Sequence, residues 1–446
     1  MNILIGGAGD VGFHLAKLMV TENQNITLID HDDAVLEYSA THLDVSTIKG
    51  EITSIETLMN GKVGNADLFI AVSTHESANL LACILAKKLG AKKTIARVAN
   101  PEYFHKVQRK NFKESGVDNL FSPSLLAVQE IKRLIGRASV TDVFEFEEGK
   151  ISIIGFTADQ DSNLIGKSLR QLSEEATDHH IRIIVLLRGS KTIIPSLDMI
   201  IEPKDHLYLS TDIKDFDRVN HFVGKTMKKV KKVMIIGSGA LARRTAKLLE
   251  KEYSVSLIMK NKAECKRCHE ELNNTLILQG DPNNTEFLLE YGLESMDAFV
   301  ALTPNSETNI ISCLMAERTG EIKTIALVDN SAYTHISQNI GVDTIINKKI
   351  LAANNIFRFV RRGRVEAIAS FHGVDAEVIE FVLDEGDYVI GKQISEIGLP
   401  KEAIVAGVIR DEKGLIPRGT FELSKEDKVI IFVLPIAVKA VESIFN

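Results

Sequence analysis

The sequence predicts a duplicated α/β protein: two doubly wound, parallel-sheet Rossmann-type domains, each followed by a small α+β domain. Three observations carry this. Residues 50–98 align with 280–328 without a gap and share 15 of 49 positions, where about three would match by composition alone. In each half, short apolar runs alternate with helical stretches of about 10–15 residues, the pattern of strands and crossover helices. A glycine-rich turn, Gly7-Ala8-Gly9-Asp10-Val11-Gly12, joins the first strand to the first helix.

Element by element, Ile3–Ile5 reads as a buried strand and Val11–Val20 as the helix after the turn. Ile26–Ile29, Thr47-Ile48, Leu68–Val72 and Thr94–Val98 read as further strands, with an apolar helix over Ser77–Leu89. After Pro123 the pattern changes. Leu125–Ile135 places apolar residues on one helical face, and Val140–Phe146, Ile151–Phe156, Ile181–Leu187 and His206–Ser210 read as strands. The appendix recurs: Leu164-Ile-Gly-Lys167 matches Val389-Ile-Gly-Lys392, and Ile194-Pro195 matches Ile416-Pro417. The expected domains are 1–137 (Rossmann), 138–224 (α+β), 232–360 (Rossmann) and 361–446 (α+β).

Composition narrows the function. A net charge of -7 gives no general pull towards nucleic acid or anionic lipid. The dense basic run Lys225–Lys232 lies between the halves and reads as a solvated linker. The longest apolar run, Val429–Val438, is ten residues and contains Pro435, far short of the roughly 20 that span a bilayer. No secretory signal is visible, so a cytoplasmic location is expected. The Cys265-Lys-Arg-Cys268-His269 segment has the spacing of a haem attachment site, but haem attachment needs export, and no second ligand pair follows for zinc. It reads as part of a surface helix, and neither a metal site nor a catalytic residue is expected.

The turn carries the chemistry. Gly7 permits the tight bend, Gly9 lets a pyrophosphate approach the backbone, and Gly12 lets helix and strand pack closely. The free N–H groups at the helix start and the positive end of its dipole then face the phosphates, and Ala8, Asp10 and Val11 of the turn are candidate binding residues with the glycines. Asp30 ends the second strand, where a carboxylate accepts both ribose hydroxyls and repels a 2′-phosphate. NAD(H) is thus favoured over NADP(H), with ATP or ADP also compatible. Topology nominates Ser73 and Thr74 at the end of the fourth strand, Arg97 at the end of the fifth as a phosphate partner or a surface ion pair, and Glu51 near the adenine edge. The second copy departs: its turn is Gly237-Ser238-Gly239-Ala240-Leu241-Ala242, Lys260 stands where Asp30 does, Leu327 replaces Arg97, and Arg243 and Arg244 follow the turn. It is expected to be degenerate or to take a more anionic nucleotide.

Two functions fit a nucleotide site: an NAD-dependent oxidoreductase and a sensor whose ligand shifts a conformation. A dehydrogenase needs an acid or base facing the nicotinamide, yet His179, His180, His206 and His221 have no counterparts in the second appendix. Duplication suits a pseudo-symmetric assembly better. The segments Ile5–Gly12, Leu28–Asp30, Asp67–Val72, Glu76–Asn79, Ala86–Ala91 and Thr94–Val98 resemble the family of Trk-type potassium-uptake regulators, built of tandem RCK (KTN) domains each followed by a TrkA-C domain. The resemblance implies a non-enzymatic regulatory subunit that binds NAD(H), in some members ATP or ADP. It implies a ring, here a tetramer, peripheral on the inner face of the membrane through a potassium-translocating subunit. It implies site roles for Gly7, Gly9, Gly12, Asp30, Ser73, Thr74 and Arg97. The helices 125–135 and 350–360 are candidates for domain–domain contacts.

Overall fold

The structure, a computed structural model, describes residues 1–20, 24–136, 142–158, 162–175, 180–189, 191–212, 216–224, 230–320, 322–329, 341–360, 365–370 and 376–445. Lys225–Lys229 of the basic run, Val140 and His179 lie outside them.

The first half opens with strand β1 (Asn2–Gly6), helix α1 (Asp10–Val20), β2 (Asn25–Asp30), α2 (Asp33–His42), β3 (Ser46–Lys49) and α3 (Ile55–Asn60). It continues with β4 (Leu68–Ala71), α4 (Glu76–Lys88), β5 (Thr94–Arg97), α5 (Lys106–Glu114), β6 (Asn119–Phe121) and α6 (Pro123–Ile135). The sheet order is β3-β2-β1-β4-β5-β6, parallel throughout. The order reverses between β1 and β4, so their carboxyl ends splay into a crevice. The inner strands β1, β4 and β5 are almost wholly buried because helices cover both faces, which is why they read as unbroken apolar runs. On α1 the buried residues are Val11, Gly12, Leu15, Ala16 and Met19, one stripe at helical spacing.

An antiparallel sheet follows: β7 (Asp142–Phe146), β8 (Ile151–Thr157), α7 (Leu169–Glu175), β9 (Ile181–Arg188), β10 (Lys191–Ile193), β11 (His206–Thr211) and α8 (Phe216–Val223), in strand order β10-β9-β11-β8-β7.

The second half repeats both layers. Strands β12 (Lys232–Ile236), β13 (Ser254–Met259), β14 (Thr275–Gln279), β15 (Ala298–Ala301), β16 (Lys323–Val328) and β17 (Thr344–Asn347) form the order β14-β13-β12-β15-β16-β17. Between them run α9 (Gly239–Leu249), α10 (Lys262–Glu271), α11 (Thr285–Glu290) and α12 (Ser306–Glu317). Helix α13 (Lys348–Val360) follows. The last sheet is β18 (Val365–Ser370), β19 (Glu377–Val382), β22 (Lys428–Val433), β20 (Ala403–Arg410) and β21 (Lys413–Leu415), in that spatial order, with α14 (Val438–Phe445) at the end.

The chain divides into two compact units, and the division does not follow the repeat. Residues 1–130 form one unit together with 346–360, and the remainder forms the other. Helix α13, which the sequence places with the second Rossmann domain, therefore packs against α1 of the first. In the other unit Lys132 Nζ, at the end of α6, pairs with Glu252 Oε1 at 2.6 Å. Each crossover helix thus carries contacts outside the sheet that precedes it.

The two antiparallel sheets share one core. Phe146, Ile151, Ile153, Val185 and Tyr208 of the first pack with Val378, Ala406, Ile430 and Phe432 of the second. Fully burying such a side chain stabilises by roughly 1.5–3 kcal/mol. A cavity of about 290 Å³ lies at the seam, walled by Leu169, Ile181, Phe222, Ile404 and Ile416. Arg182 reaches across it to the Pro417 carbonyl at 2.8 Å. None of the sequence-nominated nucleotide residues lines this cavity.

Each sheet contains the same buried charge clamp. Asp205, 1% exposed, accepts from Arg188 Nε (2.8 Å), Arg188 Nη2 (2.7 Å) and the Glu202 N–H (2.8 Å). Asp427, wholly buried, accepts from Arg410 Nε (2.7 Å), Arg410 Nη2 (2.7 Å) and the Ser424 N–H (2.8 Å). These bidentate bonds hold both guanidinium groups more basic than usual. Removing the carboxylate strands the guanidinium and the N–H. Asp427→Ala is expected to destabilise its unit by about 3 kcal/mol, read as an earlier urea transition by circular dichroism, with Asp427→Asn losing less.

Candidate nucleotide site

The glycine turn is fixed by close approach. Gly7 has φ +104°, and a Cβ there would stand 2.8 Å from the Ser73 nitrogen. A Cβ on Gly12 would stand 1.8 Å from the Gly7 carbonyl oxygen, so neither position admits a side chain. A Cβ on Gly9, by contrast, would meet nothing within 4 Å. The backbone at Gly9 therefore borders open space at the start of α1, where a phosphate can approach the free N–H groups. Ala8 and Val11 are buried and contribute backbone and packing, while Asp10 is exposed.

Asp30 is bound to this turn. Its Oδ2 accepts the Ala8 N–H at 2.7 Å and its Oδ1 accepts the Asp32 N–H at 3.1 Å, with His31 Nδ1 also at 3.1 Å. The side chain is 13% exposed. The carboxylate thus fixes the turn as well as presenting an oxygen beside it, a positioning role that sequence spacing does not reveal. The Gly50 N–H donates to the Asp30 carbonyl at 2.8 Å, which brings exposed Glu51 alongside.

The carboxyl ends of β4 and β5 complete the crevice. Asn79, wholly buried on α4, accepts from the Ser73 N–H (2.9 Å) and Ser73 Oγ (2.7 Å). Its Nδ2 donates to the Ser73 carbonyl (3.0 Å) and the Arg97 carbonyl (2.9 Å). One amide therefore ties both strand ends together. Asn309 does the same in the second half, with Thr303 and the Leu327 carbonyl. Asn79 was no sequence candidate, although its identity in both copies marked it. Arg97 Nη1 reaches the Val72 carbonyl at 3.3 Å. Burial makes its guanidinium less basic, and among the described residues no carboxylate pairs with it. Thr74 instead faces His75, Oγ1 to Nδ1 at 3.3 Å.

The second turn is built differently. Ala242 carries the Cβ for which the first turn has no room, and the backbone changes with it. Gly239 takes φ +87°, and α9 begins there, one position earlier than its counterpart α1 begins at Asp10. Gly237 still needs its glycine, since a Cβ would stand 2.5 Å from the Leu302 carbonyl oxygen. Ser238 caps α9 without a side-chain bond, and Ala240 and Leu241 bring no polar side chain. Lys260 pairs with Asp281, the counterpart of Glu51, at 2.9 Å. Arg243 is engaged by Glu264 (3.6 Å) and Glu271 (2.8 Å) of α10. Lys260 and Arg243 are thus both paired with neighbouring acids.

Cys265 and Cys268 do lie on a helix, α10, but both are buried and burial pushes their thiols up. Among the described residues no group of three His, Cys, Asp or Glu could hold a metal, and no helix is long and apolar enough to cross a membrane.

Comparison with known proteins matches this architecture. The TrkA-N domain model matches residues 3–123 and 233–348, and the TrkA-C domain model matches 153–231 and 378–446. A Trk system potassium uptake protein TrkA homolog of Methanosarcina mazei is 31% identical over 455 residues, covering all of both chains. The homolog of Archaeoglobus fulgidus is 32% identical over 449 residues, again covering all of both. The Vibrio alginolyticus TrkA is 30% identical over 441 residues, covering 97% of this chain and 96% of that one. Among solved structures, the GsuK channel bound to NAD superposes with a TM-score of 0.61 at 16% identity, covering 100% of this chain and 78% of that one. The GsuK RCK domain gives 0.61 at 16% identity, covering 100% and 94%. With both domain types matched twice in tandem and relatives aligned from end to end, the chain belongs to the TrkA family of Trk-system potassium-uptake proteins.

Proposed function

We propose that this chain is the nucleotide-binding regulatory subunit of a membrane potassium-uptake system, and that NAD(H), with ADP or ATP as competitors, binds the first Rossmann domain. The observation that carries the site is the first turn: open space at Gly9, no room at Gly7 and Gly12, and Asp30 gripping the Ala8 N–H. Dinucleotide phosphates meet free N–H groups there, and Asp30 Oδ1, which also holds the Asp32 N–H, accepts a ribose hydroxyl. Ser73, Thr74, Arg97 and Glu51 border the same crevice. The second domain, with Lys260 paired to Asp281, takes nucleotide weakly or not at all.

The ligand acts by occupancy and is not consumed. It shifts an assembly between shapes by its differential affinity for them. Assembly into a tetramer has support in the repeat. Met59 and Leu81 of the first half are exposed, and so are their counterparts Leu289 and Ile311, so both halves show the same apolar pair to solvent. A potassium-translocating membrane partner holds the subunit to the inner face of the membrane. The decisive experiment reconstitutes the chain with that subunit and titrates NADH and ATP against potassium flux. Flux indifferent to every nucleotide sinks the regulatory reading, and NADH oxidation by an added carbonyl compound favours an oxidoreductase instead.

Calorimetric titration is expected to find one tight NADH site per chain, and two equal sites would contradict the asymmetry. Asp30→Ala removes both the ribose acceptor and the bond to Ala8, and is expected to weaken NADH at least about tenfold. NADPH is expected to bind the unaltered chain at least about tenfold more weakly than NADH, and Asp30→Ala to narrow that gap. Gly12→Ala forces the turn apart and is expected to abolish tight NADH binding while α9-type packing keeps the domain folded, checked by circular dichroism alongside the titration.

A further inference from the structure

The first glycine turn bears a carboxylate that the second lacks. Asp10 stands between Gly9 and Gly12 at the start of α1, and its Oδ2 lies 2.7 Å from Lys349 Nζ. Lys349 is the second residue of α13, nearly 340 residues further along the chain, yet it belongs to the same compact unit. Helix α13 packs against α1, and its Ala352 and Ala353 are wholly buried. The Asp10 side chain is 74% exposed and that of Lys349 only 28%. A pair so open to water adds little to stability, so its meaning lies in where it stands.

An acid at a helix start is favourable for the helix but competes with a phosphate for the same N–H groups. Lys349 offsets that charge at the mouth of the crevice. His14, one turn along α1, is less basic than usual through burial, then through the nearby cations Lys17 and Lys349. The repeat supplies the control. The threonine–aspartate bonds Thr94–Asp118 and Thr324–Asp343 align the strand ends, so Ser124 is the counterpart of Lys349, and Ala240 is the counterpart of Asp10. The second turn thus lacks the acid, and the first copy of the helix lacks the lysine.

We propose that Lys349 is a phosphate-reading residue of the first nucleotide pocket, exchanging its partner Asp10 for the phosphates of a bound adenine nucleotide and so transmitting occupancy to α13. This rests on the nucleotide docking on Gly7–Gly12. The exchange favours ligands by charge. The diphosphate bridge of NAD carries about two negative charges, closed by esters on both sides, whereas ATP carries about four with a free terminal group. Lys349 therefore discriminates between mononucleotide polyphosphates and the dinucleotide, and it does so from a helix that follows the second Rossmann sheet.

The test uses the full chain and three probes, NADH, ADP and ATP, measured by calorimetry for the unaltered protein, Lys349→Met, Asp10→Asn and the double variant, with hydrogen exchange of α13 read at saturating ATP. Lys349→Met is expected to weaken ATP about tenfold, ADP about threefold and NADH less than about twofold. Asp10→Asn is expected to tighten ATP, and less so when Lys349 is also replaced. ATP is expected to change α13 exchange in the unaltered chain and not in Lys349→Met. Should Lys349→Met fail to fold, Lys349→Gln, which removes the charge but keeps a polar side chain, and Asp10→Asn carry the same comparison. Equal losses for all three ligands, or affinities and α13 exchange unmoved by the substitutions, overturn the inference alone. An unaltered chain that takes up none of the three overturns the reading of the pocket, and this inference with it.

Discussion

The bond on which the site depends is the one from the Ala8 N–H to the Asp30 carboxylate, 2.7 Å long. It joins the start of the glycine turn to the end of the next strand and so fixes where the turn lies above the sheet. Two backbone contacts complete the constraint: Gly7 against Ser73, and Gly12 against the Gly7 carbonyl. A carboxylate held this way has one oxygen on the turn and the other on the Asp32 N–H at a longer 3.1 Å. Loss of the acid in evolution would therefore remove a ligand contact and loosen the turn in one step. The second half shows the outcome, because there the acid, the third glycine and the first turn's backbone conformation are all absent together.

Around that constraint the two halves keep some features and lose others. The buried parts are kept alike: Asn79 and Asn309 make the same four bonds, Thr94–Asp118 and Thr324–Asp343 close the same strand ends, and each antiparallel sheet holds its own Arg–Asp clamp. The solvent-facing parts at the turn diverge. Fold-preserving polar networks tolerate no loss, since an unpaired buried polar group costs about 1–3 kcal/mol. A ligand contact can disappear at no cost to folding. The pattern of what is kept and what is lost is thus what one working site and one scaffold copy would produce.

Much of this was legible in the sequence, for definite reasons. The central strands are buried on both faces, so they appear as apolar runs, and the glycines sit where no Cβ fits. Short or polar elements were not legible. Strand β6, Asn119–Phe121, is three residues with one fully buried side chain, and no periodicity marks it. Asn79 is polar and buried, which hydropathy reads as surface. Arg243 looked available to an anion, but its partners Glu264 and Glu271 lie on a later helix, and such pairings are set by packing. The burial of Cys265 and Cys268 depends likewise on which face of α10 turns inward.

The least legible feature is where the crossover helices go. An amphipathic stretch shows that one face is buried, without saying against what. Helices α6 and α13 have equivalent sequence positions, and either could have folded back on its own sheet. In the structure α13 lies with α1 of the first domain, while the end of α6 pairs with Glu252. An exchanged helix cannot respond to its neighbour's ligand unless it touches the site, and packing of Ala352 and Ala353 alone would be insensitive to charge. The Asp10–Lys349 pair is the point at which this exchanged helix meets the nucleotide turn electrostatically. On the function proposed above, a duplicated chain gains from that arrangement something two separate domains would lack: a helix that follows the degenerate turn in sequence stands beside the turn of the other half.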